Sequence, residues 1–169
     1  PSTPLLVPTE CLATMKEQHT RRIVALQWRS DNMLVSANDR STKLWQHNKC
    51  ISSLDRPSCP PHTLGGPQVV VHQISEVDAV AVRSDGVIAC AEVTGGVGGG
   101  VGGRGGRIVL WRDQTCIATW SRDRNSRYFV LEWSSDGVLA GAEYDISLWR
   151  DGTLISTLKG HTRLVSVMA

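Results

Sequence analysis

Glu132-Trp133-Ser134-Ser135-Asp136-Gly137-Val138-Leu139 decides the fold, because its pattern occurs twice more upstream. The other copies are Gln27-Trp28-Arg29-Ser30-Asp31-Asn32-Met33-Leu34 and Ala81-Val82-Arg83-Ser84-Asp85-Gly86-Val87-Ile88. In each, a Ser-Asp-Gly or Ser-Asp-Asn turn joins two short runs of alternating apolar residues, the signature of a tight antiparallel hairpin. Downstream of each hairpin stands a Leu-Trp pair: Leu44-Trp45, Leu110-Trp111 and Leu148-Trp149. Five residues after each Trp a further run begins: Cys50-Ile51-Ser52-Ser53-Leu54, Cys116-Ile117-Ala118-Thr119-Trp120 and Leu154-Ile155-Ser156-Thr157-Leu158. A fourth copy of that run, Cys11-Leu12-Ala13-Thr14-Met15, stands alone near the start.

These final runs are 39, 66 and 38 residues apart. A repeat of about 40–45 residues suits a four-stranded unit that must bury its faces against copies of itself. The long middle interval holds two insertions, one Pro-rich (56–72) and one Gly-rich (94–106). The pattern predicts strands at 22–28, 33–37, 42–46 and 50–54, then 77–82, 87–92, 107–111 and 116–120, then 128–133, 138–142, 145–149 and 154–158.

Apolar–Ser-Asp-Gly–apolar, then Leu-Trp, then a strand leading to Gly160-His161, resembles the WD repeat, over residues 11–169. The resemblance implies an all-β fold, a partial β-propeller of about three four-stranded antiparallel blades. The blades fall at 22–55, 77–120 and 128–158, with orphan strands at both ends (11–15 and 164–168). The chain departs from the family in that Gln46, Arg112 and Arg150 follow the tryptophans in place of Asp. Gln18-His19 is a partial copy of the Gly-His pair. In the family a His, a Ser or Thr, an Asp and the Trp form a buried hydrogen-bond chain, which carries over to His19, Ser36, Asp39 and Trp45. The later blades lack an obvious His and a clean Asp, with Glu143 or Asp145 as substitutes. Packing explains the six Trp: Trp45, Trp111 and Trp149 supply bulk between neighbouring blades, each enclosing about 150–250 Å².

Propellers close with about four to eight blades, so three blades leave two faces bare. The sequence therefore reads best as a segment of a longer propeller, its remaining blades coming from the same protein or from another chain. A three-plus-three homodimer fits the orphan strands less well.

Other classes are excluded on chemistry. The 169 residues carry a net charge of +2 and are 41% apolar, too nearly neutral to imply nucleic acid, and no run of 18 apolar residues offers a membrane-spanning helix. The glycine tract, nine of the 16 Gly lying between 95 and 106, contains G-x-G-x-x-G-like strings. It leads into a strand, not a helix N-terminus, and lacks the Lys-Ser/Thr of a phosphate loop. It reads as a flexible insertion. No G-x-S-x-G, H-E-x-x-H or carboxylate pair calls for an enzyme, and the strand starts at Ile23, Val77 and Phe129 put no polar group at a channel mouth. No catalytic residue, cofactor or metal is expected. Five Cys without C-x-x-C spacing argue against a disulfide framework and for packing thiols in a reducing interior, cytoplasmic or nuclear.

What remains is surface. Arg21 and Arg22, then Arg122, Arg124 and Arg127, then Arg163 lie in the connections between repeats, and Arg40 in a turn expected on the same side. Arginine forks grip carboxylates and recur at interface hot spots. The expected function is a non-catalytic protein-interaction scaffold that docks protein or peptide partners, acidic ones in particular, on this loop face. The string from Asn38 to Cys50 is also similar to blades of the phospholipase-activating-protein type, which implies a ubiquitin-binding propeller serving an AAA ATPase. A third reading is an architectural subunit of a large complex.

Overall fold

The computed structural model describes residues 14, 19–38, 40–54, 75–94, 105–120 and 127–168. Among them the chain forms twelve strands: β1 (Ile23–Trp28), β2 (Leu34–Asn38), β3 (Thr42–Gln46), β4 (Lys49–Leu54), β5 (Ser75–Val82), β6 (Ile88–Thr94), β7 (Gly105–Arg112), β8 (Thr115–Trp120), β9 (Val130–Trp133), β10 (Leu139–Ala142), β11 (Ile146–Arg150) and β12 (Thr153–Leu158). They make three four-stranded antiparallel sheets in sequence order, β1–β4, β5–β8 and β9–β12. Every strand begins and ends within about two residues of its expected span, because the turns fix the hairpin registers. Asn32, Gly86 and Gly137 take positive φ of 60, 87 and 81° in the first turn of each sheet. The β3–β4 turn uses His47 and Asn48 at 47 and 63°.

Each outer strand carries one bulged residue. The register skips Ile51, Ile117 and Ile155 on β4, β8 and β12, and each of these side chains is about half-exposed. A bulge twists an edge strand away from flat pairing, so the three outer edges are blunted in the same way.

The sheets fan out side by side, with β5 packed between β1 and β9. Two apolar cores fill the joints. The first combines Met33, Val35, Ala37, Leu44 and Leu54 of sheet 1 with Val77, Val80, Ile88, Cys90, Val109 and Trp111 of sheet 2. The second combines Ala79, Ala81, Ala89, Ala91 and Leu110 of sheet 2 with Tyr128, Leu131, Trp133, Leu139 and Trp149 of sheet 3. Trp120 stacks on Trp149 at 6.2 Å and meets Trp133 edge-on at 6.3 Å, arrangements that favour the ring quadrupoles. The innermost strand of sheet 2 is rich in Ala and Val because joints on both sides crowd it. This is the architecture of a partial β-propeller.

Two features differ from the sequence reading. Residues 164–168 form no strand: Val165 alone is buried, its amide donating to the Glu143 carbonyl at 2.8 Å. A ladder needs a partner strand, and among the described residues none lies beside this segment. Cys116 is disulfide-bonded, whereas Cys50 and Cys90 are free thiols. Spacing along a chain is blind to cysteines that meet only in the fold. The expected strand at 11–15 (residue 14 aside) and the Pro-rich insertion lie outside the described residues, as does the Gly-rich insertion apart from residues 94, 105 and 106.

Candidate functional site

The three innermost strands run the same way, which sorts the loops onto two ends. Ser30 Oγ donates to the Ser84 carbonyl at 3.0 Å, so the first hairpin turns of sheets 1 and 2 share one end. Arg83 lies 4.9 Å over the Trp133 ring, bringing the sheet 3 turn alongside. The β2–β3 turn and the segments before β1 and β9 and after β12 therefore gather at the other end.

At the first end arginine is matched by aspartate. Arg29 pairs with Asp31 at 2.9 Å, Arg83 with Asp85 at 2.8 Å, Arg112 with Asp85 at 3.0 Å and Arg150 with Asp136 at 2.6 Å. The arginines that replace the family's Asp after Trp111 and Trp149 thus tie the end of the third strand to the Ser-Asp-Gly turn. Sequence reasoning missed this pairing, although Trp-Arg occurs in just the two repeats whose turn reads Ser-Asp-Gly. Hydrogen bonding from Arg83 holds the Asp85 carboxyl well below the ordinary carboxylate range.

At the opposite end the arginines divide. Arg127 points its guanidinium at Asp78 of sheet 2, with contacts of 2.8, 3.0 and 3.1 Å, and lies 4.9 Å over the Phe129 ring. It is a bridge between sheets. Arg107, at the base of the β6–β7 connection, sets Nε and Nη2 at 3.0 and 2.7 Å from Oε2 of buried Glu92. Arg21, Arg22, Arg40 and Arg163 are exposed, and among the described residues no ion pair holds Arg22, Arg40 or Arg163. Arg122 and Arg124 lie outside the described residues. Exposed Lys159, just past β12, adds to this rim and was missed by counting arginines alone.

Behind the rim lies a polar chain within sheet 1. The Trp45 indole N–H donates to Ser36 Oγ at 2.7 Å, and His19 Nε2 lies 2.6 Å from the same oxygen. Ser36 can give its one proton to Nε2 while accepting from the indole, which leaves the His19 proton on Nδ1, 3.4 Å from Ser41 Oγ. Asn38 Oδ1 accepts from the Arg40 and Ser41 amides at 2.9 and 2.8 Å, an Asx turn that fixes where Arg40 projects. Burial and the Lys43 charge push the His19 pKa below its usual value. Asp39 lies outside the described residues.

Neither of the other sheets can copy this chain. Cys90 and Gly141 occupy the register position of Ser36. At Gly141 an added Cβ would lie 2.7 Å from the Tyr128 ring, and the Trp149 indole nitrogen is buried with no acceptor. Among the described residues no group of three or more His, Cys, Asp or Glu comes together to hold a metal.

The fold is that of a WD40-type β-propeller, and solved structures bear this out. The WD40 β-propeller domain of Doa1 superposes with a TM-score of 0.58 at 12% identity, covering 88% of this chain and 44% of that one. A protein of unknown function from Bacteroides caccae superposes with a TM-score of 0.54 at 8% identity, covering 84% and 47%. The chain thus spans less than half the length of either. No protein-family model and no curated protein matches it by sequence.

Proposed function

We propose that the chain is a non-catalytic interaction scaffold that docks an acidic protein or peptide on the end bearing Arg22, Arg40 and Arg163. The observation that carries this reading is the contrast between the two ends. Arginines at the hairpin-turn end are neutralised by aspartates, whereas these three face solvent without a carboxylate. Exposed guanidinium groups on a rigid scaffold offer forked contacts to carboxylates at little conformational cost. Arg21, Arg122 and Arg124 belong to the same proposed rim, while Arg127 supports it from beneath.

The test is capture of an acidic peptide probe by the wild type and by the Arg22→Glu/Arg40→Glu/Arg163→Glu variant. Binding should weaken at least tenfold in the variant and fall with added salt in the wild type. Equal, salt-insensitive binding rejects the reading. A second reading, a ubiquitin-binding propeller, rests on the string from Asn38 to Cys50, whose exposed turn holds His47 and Asn48. Titration with ubiquitin separates it from the first.

A further inference from the structure

The two ends of the arc carry the two halves of a joint that the fold already makes twice. At each joint one sheet presents an innermost strand: Val77, Val80 and Val82 in the first, Tyr128, Leu131 and Trp133 in the second. The strand registers put Ile23, Leu26 and Trp28 at the same positions of sheet 1, and these are 45, 60 and 65% exposed. A contiguous apolar strip of this kind marks a surface meant to be covered.

The complementary half is a face of small and branched residues. Sheet 1 uses Val35, Ala37, Leu44 and Leu54, and the equivalent residues of sheet 3 are Ala140, Ala142, Leu148 and Leu158. Leu158 is 48% exposed. The joints also have a polar latch: the Val82 amide donates to Gln27 Oε1 at 2.8 Å. In register, Gln27 corresponds to Glu132 of sheet 3, and Val82 corresponds to Trp28 of sheet 1. Burial already raises the Glu132 pKa, as befits a carboxyl set among apolar groups.

We propose that two copies of this chain close head to tail into a six-bladed ring. The innermost strand of each packs on sheet 3 of the other, and Glu132 accepts the Trp28 amide as Gln27 accepts that of Val82. Six blades lie within the range in which propellers close, and a heterologous contact repeated twice closes without leaving an edge. The irregular course of residues 164–168 removes one obstacle, since they lay no further strand beside sheet 3.

Light scattering on the size-fractionated 169-residue chain tests this directly. The expected mass is twice 18.4 kDa, falling to that of one chain in Leu26→Lys/Trp28→Lys and in Glu132→Lys/Leu158→Lys, while Glu132→Gln stays dimeric. Trp28 and Leu26 are exposed, so the first variant keeps the fold of the single chain, which circular dichroism verifies. A wild type that is monomeric throughout the micromolar range overturns the proposal and leaves a further blade from a longer polypeptide as the cover. So does an assembly larger than a dimer, or a dimer that survives either double variant.

Discussion

Replacing Ser36 by Ala isolates the polar chain of the first sheet. The hydroxyl is 2% exposed and serves two neighbours, the Trp45 indole N–H at 2.7 Å and His19 Nε2 at 2.6 Å. Trp45 is itself only 4% exposed, so its N–H cannot turn to water, and a stranded buried donor costs about 1–3 kcal/mol. His19 is half-buried and partly rehydrates, adding roughly 0.5 kcal/mol. The sum, about 2–3 kcal/mol, corresponds to a fall in Tm of roughly 4–10 °C for a chain of this length. Urea unfolding monitored by tryptophan fluorescence reads the change. Ser52 supplies the control, since its buried Oγ makes no hydrogen bond and Ser52→Ala should leave stability within about 0.5 kcal/mol. A cycle with Trp45→Phe should return a coupling of about 1–2 kcal/mol. If Ser36→Ala behaves like Ser52→Ala, or if the cycle is additive, the chain of hydrogen bonds contributes nothing and the reasoning is refuted.

Other outcomes follow from the same contacts. Gly141→Ala should destabilise by about 1–3 kcal/mol, because the added methyl meets the buried Tyr128 ring at 2.7 Å; a neutral result in thermal melts would show that the ring yields freely. Asp78→Ala should cost about 1–2 kcal/mol by denaturant titration, since it leaves the Arg127 guanidinium facing a joint without its carboxylate, and Asp78→Asn should recover part of the loss. The His19 pKa is lowered in the folded state, so the unfolded chain binds more protons just below its ordinary value of about 6.5. Stability from this group is complete above that pH and is lost as pH falls through the window beneath it. The urea midpoint should drop between neutral pH and mildly acidic pH, and His19→Gln should flatten that slope.

The sheets were legible in the sequence because local chemistry sets them. A Ser-Asp-Gly turn needs a left-handed residue at one place, and it has one at Gly86 and Gly137; alternation then fixes which side chains enter a joint. What the sequence hid depends on distance along the chain. Arg127 reads as a surface cation beside Arg122 and Arg124, yet its partner Asp78 lies 49 residues away on another sheet. Gln27 looks like a solvated strand residue until the next sheet brings the Val82 amide to it. Tyr128, a single aromatic before a strand, fills the space where a hydroxyl would have continued the polar chain. The candidate rim was half legible: loop positions follow from strand order, whereas which arginines stay unmatched follows from packing between sheets.

The account stands or falls on sheets fanned about one axis with indoles wedged between them. Nuclear Overhauser contacts among the assigned tryptophan rings test it most directly. Trp120 of the second sheet stacks within 6.2 Å of Trp149 of the third, so their ring protons should show strong cross-peaks, together with edge contacts from Trp120 to Trp133. Absence of both sets of cross-peaks in a folded sample would contradict the arrangement.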